Sequence, residues 1–155
     1  MGTLKRCEND TGGPEVAESH EGGCLCGNVR FRVEGQPDET EGTGVCHCTF
    51  CKRRTGSAFG VAGYFPKDAF KVTRGELKTY EYRSDETNRW LKMEFCPTCG
   101  TTVTWVAEWN TALRGIAIGT FDDPNWLKPK WQVFTRSALG WVSLPESIDI
   151  YETSN

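Results

Sequence analysis

Histidine is scarce in this sequence, with two in 155 residues, and one of them, His20, lies in a polar N-terminal segment. A Ser-His-Asp hydrolytic set is therefore excluded, because that chemistry needs an imidazole held beside the nucleophile. Long hydrophobic runs are missing too: none approaches the roughly 18 apolar residues that a membrane-crossing helix needs. The first ten residues hold no apolar stretch, so no cleaved export signal is expected. Arg6 stands where N-myristoylation requires Ser or Thr. Neither sign of charge dominates, with 18 Lys and Arg against 21 Asp and Glu for a net charge of −3. Without a long basic run, nucleic acid is not an expected partner, and nothing points to a membrane. Also missing is any sustained helical period.

Cysteine is what the sequence has instead. Seven of its eight cysteines fall in three tight clusters: Cys24-Leu25-Cys26, Cys46-His47-Cys48-Thr49-Phe50-Cys51 and Cys96-Pro97-Thr98-Cys99. Disulfides join residues with specific Cα separations, and neighbours two apart are poorly placed for one. Thiolates converging on a metal require such clustering, so a reduced, cytoplasmic, metal-binding protein is expected.

Residues 1–21, rich in Gly, Glu, Ser and Asn, read as a flexible acidic tail containing Cys7 and His20, and 22–152 as a single domain. Within the domain the period is two. Val29, Phe31 and Val33 alternate with Arg30, Arg32 and Glu34, and segments 79–83, 91–95 and 103–109 repeat the pattern. Ile116-Ala117-Ile118 and Trp131-Gln132-Val133-Phe134 are shorter apolar strands, and Pro66 to Phe70 has room for one helical turn. A mainly β domain follows.

Cys96-Pro97-Thr98-Cys99-Gly100 has the form of a zinc knuckle, its glycine permitting a left-handed turn after the second thiolate. A redox C-x-x-C is disfavoured, because the motif lies between strands rather than opening a helix. Cys24 and Cys26 are alternate residues of an extended segment and share a face. His47 points away from the cysteines beside it if its segment is extended, which suits a structural role better than ligation. Seven thiolates divide into a closed set of four and an open set of three. Counting alone leaves other divisions standing, with one cysteine idle or with Cys7 or His47 completing the second site.

The pattern Gly23-Cys24-Leu25-Cys26-Gly27-x-Val29-x-Phe31, then Cys46-His47-Cys48-x-x-Cys51, then Phe95-Cys96-x-x-Cys99-Gly100, resembles the glutathione-dependent formaldehyde-activating enzyme family, which includes the domain of centromere protein V. Gly56-Ser57-Ala58-Phe59, the segment Gly119 to Pro124 and the late Trp141 extend the resemblance over about Glu21 to Tyr151. It implies a β-tent, several small twisted antiparallel sheets organised around two zinc ions. It also implies structural zinc on Cys24, Cys26, Cys96 and Cys99, and a second, open zinc site on Cys46, Cys48 and Cys51 where catalysis occurs. The implied activity is that of a carbon–sulfur lyase joining glutathione, or a similar thiol, to formaldehyde as S-hydroxymethylglutathione.

An open zinc can hold a substrate thiol as thiolate or polarise a carbonyl, although three cysteinates blunt its acidity. The cations of Lys52, Arg53 and Arg54 would offset that charge or hold the substrate's carboxylates. A solvated loop is the plainer reading of the same three residues. Trp105 and Trp109 read as core, while Trp126 and Trp131, beside Pro124 and Pro129, read as walls of a pocket. The competing functional class is a non-enzymatic zinc module that binds a protein or nucleic acid.

Overall fold

Period-two patterning governs the computed structural model, which describes residues 18–85, 87–143 and 145–154. In chain order its strands are β1 (Ser19–Gly23), β2 (Arg30–Glu34), β3 (Thr43–Cys46), β4 (Gly60–Pro66), β5 (Phe70–Arg74), β6 (Lys78–Arg83), β7 (Trp90–Phe95), β8 (Thr102–Ala107), β9 (Asn110–Ala117), β10 (Trp131–Val133) and β11 (Asp149–Ile150). One α-helix, α1 (Thr49–Thr55), and 3-10 turns at Lys67–Ala69, Ile118–Thr120 and Thr135–Ser137 complete the described elements. The molecule is mainly β, as the alternation predicts. In β2 the pattern is plain: Phe31 and Val33 are buried while Arg32 and Glu34 face solvent.

Strands β1, β2 and β5 form one sheet in the order β1-β2-β5. The others form an eight-stranded sheet in the order β11-β10-β3-β4-β9-β8-β7-β6. Strand β10 lies parallel to both β3 and β11; the remaining pairs among the described residues are antiparallel. Two expectations need correction. His20 and Glu21 belong to β1, paired with Val33 and Arg32, rather than to a tail. Backbone pairing to β2, not apolar residues of its own, holds this polar strand in place. The His20 ring also stacks on Trp126 with centroids 3.6 Å apart, so it is not a solvated residue. Secondly, the triple cysteine cluster runs into a helix, which is too short for a 3.6-residue period to register in the sequence.

The larger core lies between the sheets, where Val29, Phe31 and Val33 meet Phe65, Val103, Ile116, Phe121 and Leu127. Cys24 and Cys96 belong to the same cluster. Ala62 and Phe65 stand on opposite faces of β4, and Ala62 joins Met93 and Trp105 in a smaller cluster flanked by Phe50, Tyr64 and Tyr82. The eight-stranded sheet thus gives one face to the main core and the other to helix α1 and a cavity. Phe65 is fully buried. We expect Phe65→Ala to cost about 3–5 kcal/mol in urea denaturation, from lost burial and the void left behind. A loss below about 1 kcal/mol would show that this part of the core can close over the gap.

Candidate metal centres and active site

The first cysteine set is assembled from two loops. Cys24 and Cys26 lie between β1 and β2, and Cys96 and Cys99 lie between β7 and β8. Their sulfur atoms all fall within 4.8 Å of one another, a spacing able to hold one metal ion. Each loop is shaped by its own backbone. The Cys24 N–H donates to Val29 O (3.1 Å), and the Val29 N–H donates to the Cys24 sulfur (3.2 Å). In the other loop the Gly100 N–H closes on Cys96 O (2.9 Å) at φ +73°, a left-handed turn that favours glycine. Contacts between the loops seat them together: the Leu25 N–H donates to Thr101 Oγ1 (3.2 Å), and Asn28 Nδ2 donates to Thr98 Oγ1 (3.2 Å). Hydrogen bonds from the Thr101 hydroxyl and backbone pull the Cys99 thiol down to about 5.

The second set is built by a strand end and a helix start. Cys46 closes β3, Cys48 is the N-cap of α1, and Cys51 lies in the helix's first turn. The Cys48 sulfur accepts from the Cys51 N–H at 3.3 Å. The three sulfurs lie within 4.8 Å of one another, again a spacing for one ion. Hydrogen bonds from the Cys46 and Cys51 thiols hold Cys48 down at about 2, and the same bond to Cys48 pushes Cys46 far up. Thiol ligand sets of this kind give up their protons when they take up a metal. Gly60, paired with Cys46 in β4, makes room for helix α1: a Cβ there would lie 3.3 Å from Cys51 Cβ and 3.1 Å from Arg54 Nη2.

His47 stands outside this cluster, as the alternation predicts. Its ring is buried, Nε2 lies 3.0 Å from Gln132 Oε1, and its N–H donates to Val133 O (3.0 Å). It fastens β3 to β10 from behind the sulfurs. Cys7 lies outside the described residues.

Cys46, Cys48 and Cys51 line a cavity of about 730 Å3 on the helix side of the large sheet. That volume is in the range of small-molecule sites. Of the three consecutive bases, Arg53 and Arg54 line it and Lys52 does not. Lys52 Nζ instead donates to Ser137 O at 2.5 Å, because its position on α1 turns it towards the Thr135–Ser137 turn. The Arg54 guanidinium lies 4.1 Å above the Trp105 ring, and its charge acts on the Cys51 thiol. The triplet also occupies the C-terminal half of α1, where cations offset the exposed carbonyls.

The tryptophan expectations are partly reversed. Trp131 does line the cavity, its indole lying flat over Gly44, where any Cβ would collide with the ring. Trp126 does not line it: this ring packs edge-on to Phe121 and Phe65 in the main core. Trp105 is core, as expected, and also borders the cavity, whereas Trp109, read from the sequence as core, stands half-open in the turn between β8 and β9 and lines the cavity. Tyr64 was not singled out from the sequence. Burial raises its hydroxyl well above the ordinary range, and the nearby Cys51 and Cys46 add to this, so it stays protonated.

The family model described as "Glutathione-dependent formaldehyde-activating enzyme" matches residues 19–137, a span that contains both cysteine sets and the cavity helix. The chain belongs to that family. A Penicillium rubens protein described as a glutathione-dependent formaldehyde-activating enzyme is 25% identical over 129 residues, covering 81% of this chain and 65% of the relative. The chain therefore spans just under two thirds of that relative's length. A crystal structure of a Rhodobacter sphaeroides protein is similar with a TM-score of 0.52 and 27% identity, covering 66% of this chain and 87% of that one. No helix among the described residues is long and apolar enough to cross a membrane.

Proposed function

We propose that this protein is a zinc-dependent carbon–sulfur lyase-type enzyme that joins glutathione and formaldehyde as S-hydroxymethylglutathione. The observation that carries the reading is the open trio of Cys46, Cys48 and Cys51 on the wall of a cavity that also holds Arg53 and Arg54. An all-sulfur donor set suits zinc, four thiolates closing one site and three leaving a position open on the other. Bound by the trio, zinc would supply the Lewis acidity that keeps a substrate thiol deprotonated at neutral pH. The all-thiol ligand sets also suit a reducing compartment such as the cytoplasm.

In the reaction the thiol loses its proton and a sulfur lone pair forms the bond to the aldehyde carbon. The carbonyl π pair moves to oxygen, which takes up a proton. Arg54 offsets the negative charge that accumulates beside Cys51 and offers donors to the developing oxyanion. Tyr64, protonated in the same cavity, is positioned to give the oxygen its proton. Arg53 at the mouth suits a carboxylate of the tripeptide.

Fully reduced protein prepared with excess zinc should carry two ions per chain, and mild chelation should remove about one while the fold survives. Elemental analysis giving a single ion would refute the division into four and three. The activity is tested by exchange NMR of glutathione and formaldehyde, which should reach equilibrium faster with protein than without it. An unchanged rate, with no glutathione binding by calorimetry, would favour the binding-module class instead.

A further inference from the structure

The proposed reaction leaves much of the cavity unused. Formaldehyde is one carbon and one oxygen, and glutathione is a polar tripeptide with two carboxylates, an ammonium and a single CH2–SH. Yet one wall is a continuous set of rings. Tyr64 meets Trp105 edge-on at 6.5 Å and Trp109 at 6.0 Å, and it stacks against Trp131 at 6.0 Å. All four rings line the same cavity as the thiol trio. Trp105 and Trp131 are nearly closed off, at 6% and 8% exposure, and could be explained by packing alone. Trp109 could not: it stands in the turn between β8 and β9 with 46% of its surface open. A half-open indole on a cavity wall has ring surface left to cover.

Glu41, Asp85, Arg89 and Arg136 also line the cavity, but the cations nearest the thiols in the chain are those of the helix. Arg53 and Arg54 lie on the helix with the thiols and match the carboxylates of glutathione. Neither glutathione nor formaldehyde carries an aromatic or extended apolar group to cover so wide a ring surface, although the ammonium of glutathione could meet one ring face. In a hemithioacetal held by its sulfur at the trio and by its carboxylates at the arginines, the aldehyde's own substituent is the apolar group that can cover the aromatic wall. We infer that the cavity takes glutathione adducts of aromatic aldehydes, with the aryl ring against Tyr64 and Trp109. This rests on the proposed function and leaves its chemistry unchanged. The C–S bond forms from the thiolate lone pair, the π electrons and a proton go to oxygen, and nothing is oxidised or reduced.

Calorimetry with two unreactive thioethers, S-benzylglutathione and S-methylglutathione, tests the inference on the full zinc-loaded chain. The benzyl compound should bind at least about tenfold more tightly, the scale of one good aromatic contact with its buried area. In Trp109→Ala, whose fold is checked by circular dichroism, the ratio should fall to about one. Trp109 lies at an exposed turn, so the variant should remain folded. Equal affinities in the native protein would overturn the inference and leave the formaldehyde reading standing. A ratio that survives in Trp109→Ala would overturn the assignment to this wall. Absence of binding by either thioether would overturn the inference, and absence of glutathione binding as well would overturn the proposed function with it.

Discussion

Cys96→Ser should abolish folding. Cys96 is fully buried in the main core and its sulfur lies 3.8 Å from that of Cys26, in a set that joins two loops 70 residues apart in the chain. Structural zinc in small modules contributes on the order of 10 kcal/mol of folding free energy, which is as much as a domain of this size has in total. A serine hydroxyl is a poor replacement for a thiolate and would also bury an unsatisfied polar group. Melting followed by circular dichroism should show no cooperative transition in the variant at temperatures where the native protein is folded. A melting point within a few degrees of the native value would mean that the core, and not the metal, determines stability.

Cys48→Ser should have the opposite profile, with a preserved fold and lost chemistry. Cys48 sits at the start of a seven-residue helix beside the cavity, outside both core clusters. Serine is itself a favourable N-cap, so the helix keeps its cap when sulfur is replaced by oxygen. The open site, however, falls to two thiolates. We expect one equivalent of metal to be lost, and the glutathione–formaldehyde exchange rate to drop to that of the uncatalysed reaction. Both are measurable on one preparation, by elemental analysis and exchange NMR. A rate equal to that of the native protein would remove the thiol trio from the mechanism, while collapse of the fold would make the second site structural.

What the sequence made legible was whatever its local order encodes. The three cysteine clusters carry their grouping in their spacing, and they converge in space as four and three. The alternation at Cys46-His47-Cys48 sets the two thiols on one side and the imidazole on the other, and His47 meets Gln132 behind them. Strand β2 is legible because its buried and exposed residues alternate. Other features depend on distant partners. Strand β1 is polar, and pairing with β2 holds it. Strand β10 joins β3 in parallel across more than 80 residues, a register no local pattern announces. Nearby prolines say little about where Trp126 and Trp131 lie: Trp126 packs on Phe65 and Phe121, Trp131 covers Gly44 of a distant strand, and Trp109 is opened by the turn that carries it.

The eight-stranded sheet has a consequence for how the protein is made. Strand β3 lies between β4 and β10, with Gly44 opposite Trp131, so one of its edges stays open until residues 131–133 leave the ribosome. The four-sulfur set is likewise incomplete until Cys99 emerges, long after Cys24 and Cys26. Until Cys99 emerges the nascent chain therefore carries Cys24 and Cys26 without their partners, and until residues 131–133 emerge it carries an unpaired strand edge, both open to reaction or pairing with other chains. Folding is completed only after nearly the whole domain has been synthesised. The yield of active protein should therefore depend on zinc supply and reducing conditions during translation rather than after it.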